Sequence, residues 1–318
     1  MDTPVPFDLD LTVRSHGFYD LPPWTYDPQR RVLARPLLLA TGRTARVEVA
    51  QRRAPAADGA AAAAAGLALR VLADGRLAAA EAREARAQVR TCLALDEDLA
   101  PFYRLVDALE AKPAGRAPLP PLRWAIARGA GRLLRSPTVF EDAVKTLCTT
   151  NCTWALTRSM VANLVAALGA PAPLGERAFP TPQAMAAQRE PFYRDVIRAG
   201  YRAPFLASLA REVASGALDV EAWRDPGLPT DELARRIEAL PGFGPYATEH
   251  LLRLLGRYDH LALDSWVRGK LARLRGKRRV PADGSIRRWY APYGRYAGLA
   301  MWLEVTADWH DRSRPEGA

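Results

Sequence analysis

Two glycines, one aspartate and a run of basic residues carry most of the chemistry that this chain offers. Gly242 and Gly244 lie in Leu240-Pro241-Gly242-Phe243-Gly244, directly ahead of Pro245. Residues without a Cβ let the backbone take positive φ and come close to another molecule, and free N–H groups beside a helix N-terminus suit an anion such as a phosphate. A structural turn between two helices would use the same glycines. Asp264 follows the apolar Leu261-Ala262-Leu263 and precedes Ser265-Trp266-Val267-Arg268, the position of a helix N-cap. A carboxylate so placed can also offset positive charge developing on a substrate or orient a water. From Arg268 to Arg295 there are ten basic residues, including Arg268, Lys270, Arg273, Arg275 and Lys277, against one acid, Asp283. Immediately behind the aspartate, such a run fits a surface that tracks phosphates better than an idle solvated face.

Helices must hold these groups in place. Thr230, followed by Asp231 and Glu232, is the expected N-cap of a helix running to about Ala239. The glycine turn stops it, and a second helix is predicted from Pro245 to Leu255, closed by Gly256. Along that second helix Ala247, Leu251, Leu254 and Leu255 recur at core spacing. Tyr246, His250 and Arg253 fall at i, i+4 and i+7 on another face, which should line a site. Upstream, Thr138 and Glu141 have the spacing of a capping box, with Phe140, Val144, Leu147 and Cys148 as one apolar stripe. Thr149 to Thr153 then forms a polar elbow before a helix through Val161 to Leu168, and a further helix is expected from Pro204 to Ser215.

The N-terminal part reads differently. Val32–Leu39, Ala45–Val49 and Leu67–Leu72 have strand-like composition, and Leu77–Leu95 has helical spacing, so residues 1–112 are expected to form a small α+β domain. The Ala60–Ala65 tract is of low complexity. Lys112–Pro121, with four prolines, is the expected boundary to an all-helical domain over 113–318.

The chain has 318 residues, 49% hydrophobic and 25% charged, which suits a soluble globular protein with a substantial core. Its formal charge of +10 and pI near 9.9 favour polyanionic partners without naming nucleic acid. The three cysteines, Cys92, Cys148 and Cys152, make no secreted disulfide framework. Cys148 and Cys152 lie one helical turn apart without neighbouring ligands and read as small core residues, not a metal site. Neither a signal peptide nor a membrane span is expected, so a cytoplasmic location is.

The stretch LPGFGPYATEHLLRLLGRYDHLALDSWVR resembles the signature of the helix-hairpin-helix DNA glycosylase superfamily: an L-P-G-x-G hairpin, a fixed length of helix, and a catalytic aspartate in an apolar-Asp-x-x-Val-x-Arg setting. The resemblance implies a mainly α fold with an N-terminal α+β domain, the helix-hairpin-helix spanning 231–256. It makes Asp264 the catalytic residue and has Gly242, Gly244 and the basic run contact duplex DNA that carries a damaged base. FEDAVKTLCTTNCTW, with the later MVANLVAALG, is similar to the region of the oxidised-guanine branch whose elbow residue enters the duplex beside the flipped nucleotide. Asn151 is the match, although an asparagine capping a turn would look the same. Bifunctional relatives place a lysine two residues after the second hairpin glycine. Here that position is Tyr246, which implies a monofunctional, hydrolytic enzyme. A glutamine on the last helix of the oxidised-guanine branch reads the base, and Met301 stands in its place. A pocket formed by Tyr246, His250, Trp266, Met301 and Trp302 would then be apolar and aromatic, suiting an electron-poor alkylated purine. An 8-oxoguanine-type glycosylase and a catalytically inactive DNA-binding module are the alternatives. The resemblance implies a monomer, nucleoid-associated if bacterial, with no metal or cofactor in its chemistry. The hairpin of such proteins can hold a structural monovalent cation. The iron–sulfur cluster of some relatives needs four cysteines after the aspartate, and this chain has none there.

Overall fold

The computed structural model describes residues 1–52, 66–111 and 120–310. The Ala60–Ala65 tract and all but the last two residues of Lys112–Pro121 lie outside them. A short helix, α1 (Leu9–Val13), leads into an antiparallel sheet of β1 (Thr25–Asp27), β2 (Val32–Leu38), β3 (Thr44–Gln51) and β4 (Leu67–Leu72), paired in that order. On β3, Ala45, Val47 and Val49 turn inward while the residues between them do not, the period of two that a one-sided sheet requires. The register sets Leu33 opposite Val49 and Leu37 opposite Ala45. Helix α2 (Ala79–Cys92) buries Ala85, Val89 and Cys92 in the same cluster.

The remaining helices are α3 (Ala100–Glu110), α4 (Arg123–Arg128), α5 (Val139–Thr149), α6 (Trp154–Leu168), α7 (Pro182–Ala186), α8 (Glu190–Asp195) and α9 (Ala203–Ala214). After them come α10 (Thr230–Glu238), α11 (Pro245–Leu254), α12 (Ser265–Leu274), α13 (Asp283–Tyr290) and α14 (Ala297–Thr306). They share one large apolar core. Helix α3 precedes the expected boundary, yet Phe102 and Val106 pack in this helical core, with Phe102 against Tyr296 at 5.4 Å. Among the described residues no helix is long and apolar enough to cross a membrane.

Sheet and helices are joined by polar as well as apolar contacts. Arg35 shares the inner face of β2 with Leu33 and Leu37, and its guanidinium meets Glu141 of α5 in a two-pronged pair at 3.1 and 2.8 Å. Lys145, one turn along, donates to the same carboxylate at 2.7 Å. Burial would raise the Glu141 pKa, but Arg35 and Lys145 outweigh it and hold the group down to about 2. Glu141 therefore does not complete the capping box expected with Thr138. The Thr138 hydroxyl accepts from the Glu141 amide, and the first amides of α5 are taken instead by the Glu221 carboxylate at 3.0 and 3.1 Å. The segment after α1 also enters the helical body, placing Phe18 and Leu21 in its core. There His16 Nε2 donates to the Leu134 carbonyl at 2.6 Å and Trp302 Nε1 to the Ser15 carbonyl at 2.8 Å.

Candidate active site and nucleic-acid interface

Helices α10 and α11 form the expected hairpin, with one correction at its start. Thr230 is the first helical residue, with Pro229 at the cap position and no side-chain cap. The two turn glycines serve different ends. Gly242 has φ +89°, and a Cβ there would lie 2.6 Å from the Phe205 ring and 2.9 Å from Leu147, so the fold itself requires glycine. Gly244 has φ −82°, and a Cβ would meet nothing within 4 Å. What its lack of a side chain leaves open is space outside the protein. No side chain caps α11, so its first-turn amides are free to meet an external acceptor.

Asp264 is the N-cap of α12, as expected: its Oδ1 accepts from the Val267 amide at 2.6 Å. Its charge reaches Tyr246 and Arg253 of α11. Tyr246 lies beside Thr149 at the end of α5, and burial, more than any neighbour, raises its hydroxyl pKa. From Tyr246 inward runs a ladder of rings: Tyr246 to His250 at 6.1 Å, His250 to Phe18 at 5.2 Å, and His250 to His16 at 5.9 Å. Arg253 lies over the Trp302 ring at 4.1 Å. Trp302 is flanked by Trp266 at 6.3 Å and Trp309 at 5.7 Å, and these two outer indoles are 39% and 40% exposed. His250 Nε2 and Arg253 Nη1 are buried without a hydrogen-bond partner.

Four of the five expected pocket residues, Tyr246, His250, Trp266 and Trp302, thus meet beside Asp264. Met301 is wholly buried in the core and presents no surface to a ligand, because that face of α14 is packed inside the helical body. His16, Phe18 and Trp309 join the site without any signal in the sequence. The first two come from the N-terminal segment, and nothing in its aromatic and proline-rich composition says that it reaches α11.

Asn151 stands exposed at the elbow between α5 and α6, with φ +45°. Its amide donates to the Tyr201 hydroxyl at 3.4 Å, and Thr150 beside it is held by Arg202 Nε at 3.1 Å. Thr149, at the start of this elbow, lies beside Tyr246. The basic run divides in two. Arg268 grips Asp283 at 2.8 and 2.9 Å, Lys270 pairs with Asp308, and half-buried Arg275 pairs with Glu304 at 2.9 Å while lying over Trp289. Arg275 is accordingly a structural residue, not the free phosphate ligand expected. Arg273 and Lys277 are exposed, as are Arg278 and Arg279.

No protein-family model matches the chain, and no curated protein sequence does. Solved structures do. The 3-methyladenine DNA-glycosylase from Archaeoglobus fulgidus superposes with a TM-score of 0.69 at 17% identity, covering 96% of each chain. MBOgg1 in complex with a low affinity DNA ligand gives 0.67 at 19% identity over 95% of this chain and 92% of that one. This protein has the helix-hairpin-helix DNA glycosylase fold. The apo 8-oxoguanine glycosylase/lyase of Clostridium acetobutylicum shares the fold at a TM-score of 0.62 and 17% identity, covering 92% and 93%. Within this glycosylase fold α11 carries Tyr246, His250 and Arg253, and Asp264 caps the helix that follows it.

Proposed function

We propose that the protein is a DNA glycosylase of base excision repair, which extrudes a damaged base from duplex DNA and hydrolyses its N-glycosidic bond without cutting the strand. The observation that carries this reading is the Asp264 carboxylate, fixed through Oδ1 to the Val267 amide and near enough to Tyr246 and Arg253 for its charge to act on both, with His250 and Trp302 packed behind them. Cleaving an N-glycosidic bond builds positive charge on the sugar. A fixed carboxylate beside that sugar lowers the barrier electrostatically and can take a proton from, or align, the attacking water. Duplex binding falls to the Gly244 turn and the α11 amides on one phosphate, with Arg273 and Lys277 on others. In this reading Asn151 at the elbow fills the space that the extruded base leaves.

Hydrolysis is favoured over lyase chemistry because Tyr246 stands where a bifunctional enzyme keeps its amine nucleophile. The expectation of an alkylated purine rested on an apolar pocket lined by Met301. That residue is buried elsewhere, and similar folds belong both to a 3-methyladenine glycosylase and to an 8-oxoguanine glycosylase/lyase, so the fold leaves the base open. The test is Asp264→Asn. Asparagine is as good a helix cap as aspartate, so α12 survives, but a neutral amide cannot offset an oxocarbenium charge. Single-turnover excision should fall by several orders of magnitude with duplex affinity retained. Near-normal excision by the variant would remove Asp264 from the mechanism, and a wild type inert on every lesion would favour a DNA-binding module on the same scaffold.

A further inference from the structure

The elbow between α5 and α6 has little of its own to hold it. From Asn151 to Leu156 no residue is buried and only Cys152 is half-buried, so the first core side chain of α6 is Thr157. Asn151 nevertheless keeps a φ of +45°, a left-handed conformation that needs support from its surroundings. On the α5 side Arg202 supplies it, with Nε donating to Thr150 Oγ1 at 3.1 Å. On the α6 side stands Trp154, the residue after the Thr153 cap.

Trp154 is fastened to the N-terminal segment at two points. Its six-membered ring lies against Gly17, where a Cβ would come within 2.7 Å of Cη2 and 2.8 Å of Cζ2. Its Nε1 donates to Asp20 Oδ2 at 2.8 Å, and Arg158 Nε, one turn along α6, meets the same oxygen at 3.3 Å. A ring placed for stability alone would be buried, whereas Trp154 is 38% exposed and still commits its one donor. Only two torsions have to be fixed to immobilise so large a group. The segment that grips it is firmly seated. Ser15 Oγ accepts from the Leu134 amide at 3.0 Å, His16 Nε2 donates to the Leu134 carbonyl, and Phe18 and Leu21 are buried in the helical core. His16 and Phe18 pack on His250 of α11, while Gly17 and Asp20 meet α6. One short stretch of chain therefore supports both the elbow and the rings behind Tyr246.

Deepening the glycosylase reading, on which it rests, we propose that Trp154 is a positioning residue: clamped by Gly17 and Asp20, it holds Asn151 where the elbow can enter the duplex. An elbow already in place loses little freedom on insertion, whereas a loose one must be ordered at that moment, which raises the barrier to opening the stack. A lesion in a single strand has no duplex to open, so the clamp acts only on duplex substrates.

The experiment uses the full-length protein and a duplex that holds a tetrahydrofuran abasic analogue beside 2-aminopurine, whose fluorescence rises on unstacking. At saturating protein the wild type should raise this signal, and Trp154→Ala should lose most of the rise. Gly17→Ala, which pushes the indole off its seat, should also lower the signal, but should add nothing in the Trp154→Ala background. Excision is read on whichever of hypoxanthine, 8-oxoguanine and 7-methylguanine the wild type removes. Trp154→Ala should slow it about tenfold to hundredfold in a duplex while keeping the rate on the same lesion in a single strand. If Trp154→Ala does not fold, Trp154→Phe replaces it. The ring then keeps its seat on Gly17 without its donor, and the loss of signal should equal that of Asp20→Ala and of the two changes combined. An unchanged duplex signal in the folded variants, or duplex and single-strand rates that fall together, would make the clamp a matter of stability and overturn the inference with the glycosylase intact. A wild type that unstacks the duplex but excises nothing would overturn the glycosylase reading and leave the fluorescence to decide the clamp. A wild type that does neither would overturn both.

Discussion

Gly242 and Gly244 look equivalent in the turn, but their environments predict opposite outcomes for the same substitution. In Gly242→Ala the new Cβ must sit at φ +89° and within 2.6 Å of the Phe205 ring and 2.9 Å of Leu147. Left-handed backbone costs an L-residue about 1–2 kcal/mol, and forcing a methyl into a packed core about 1–3 kcal/mol. Together, with some yielding by the two side chains, about 2–4 kcal/mol of stability should be lost, roughly 5 °C or more in Tm for a chain of this size. In Gly244→Ala the backbone at φ −82° accepts alanine and the Cβ meets nothing, so stability should stay level or rise by about 0.5 kcal/mol. Its effect should fall on DNA instead. A methyl that holds a phosphate off the α11 amides removes a charge-assisted hydrogen bond worth about 1.5–3 kcal/mol, a loss of roughly tenfold to hundredfold in affinity. Thermal melting and fluorescence anisotropy on a short duplex, run on both variants, separate the two effects. Wild-type affinity in Gly244→Ala would show that no phosphate lies against this turn, and unchanged melting in Gly242→Ala would refute the steric account.

Neutralising Arg273 and Lys277 together should flatten the salt dependence of duplex binding by about one unit of slope for each phosphate that is no longer neutralised. Arg275→Gln should instead lower Tm, because it leaves the buried Glu304 carboxylate with the Tyr290 hydroxyl but without its cation. Borohydride should trap no enzyme–DNA adduct, and the strand should be nicked only after alkali; an adduct abolished by Lys145→Met would make that buried lysine a nucleophile and overturn the monofunctional assignment. Acid should destabilise the fold between pH 7 and pH 5. His16 and His310, pushed down to about 4 mainly by burial, contribute stability that is complete above about 6.5 and is lost as pH falls toward 4, about 2 kcal/mol each by pH 5. Asp142, raised to about 6 by burial, opposes this with about 1 kcal/mol over the same interval, so Tm should still drop between pH 7 and pH 5, and a flat profile would count against neutral buried histidines.

The helix-hairpin-helix and the Asp264 cap were legible in the sequence because the forces that make them are local. Pro245 starting α11, Gly242 reversing the chain and an aspartate bonding an amide three residues on each act within a turn or two, so spacing alone reveals them. The strands β2 to β4 followed as well, since strand-like composition is also a local property. Partnership between distant residues was not legible. A run of basic residues looks uniform in sequence, yet Arg275 is spent on Glu304 and Arg268 on Asp283 while Arg273 and Lys277 face solvent. Arg35 sits on the inner face of a strand only because the Glu141 carboxylate arrives from α5 to pair with it. Thr138 and Glu141 had the right spacing for a capping box, but that long-range pair drew the Glu141 carboxylate away. Likewise, Met301 could be aligned with a base-reading position, but whether it faces the pocket depends on how α14 packs. The meeting of His16 and Phe18 with His250, and of Arg253 with Trp302, was settled only by the packing of the N-terminal segment and α14 onto α11. Burial and charge pairing belong to positions in space, and a sequence reaches those positions only through the whole of its core.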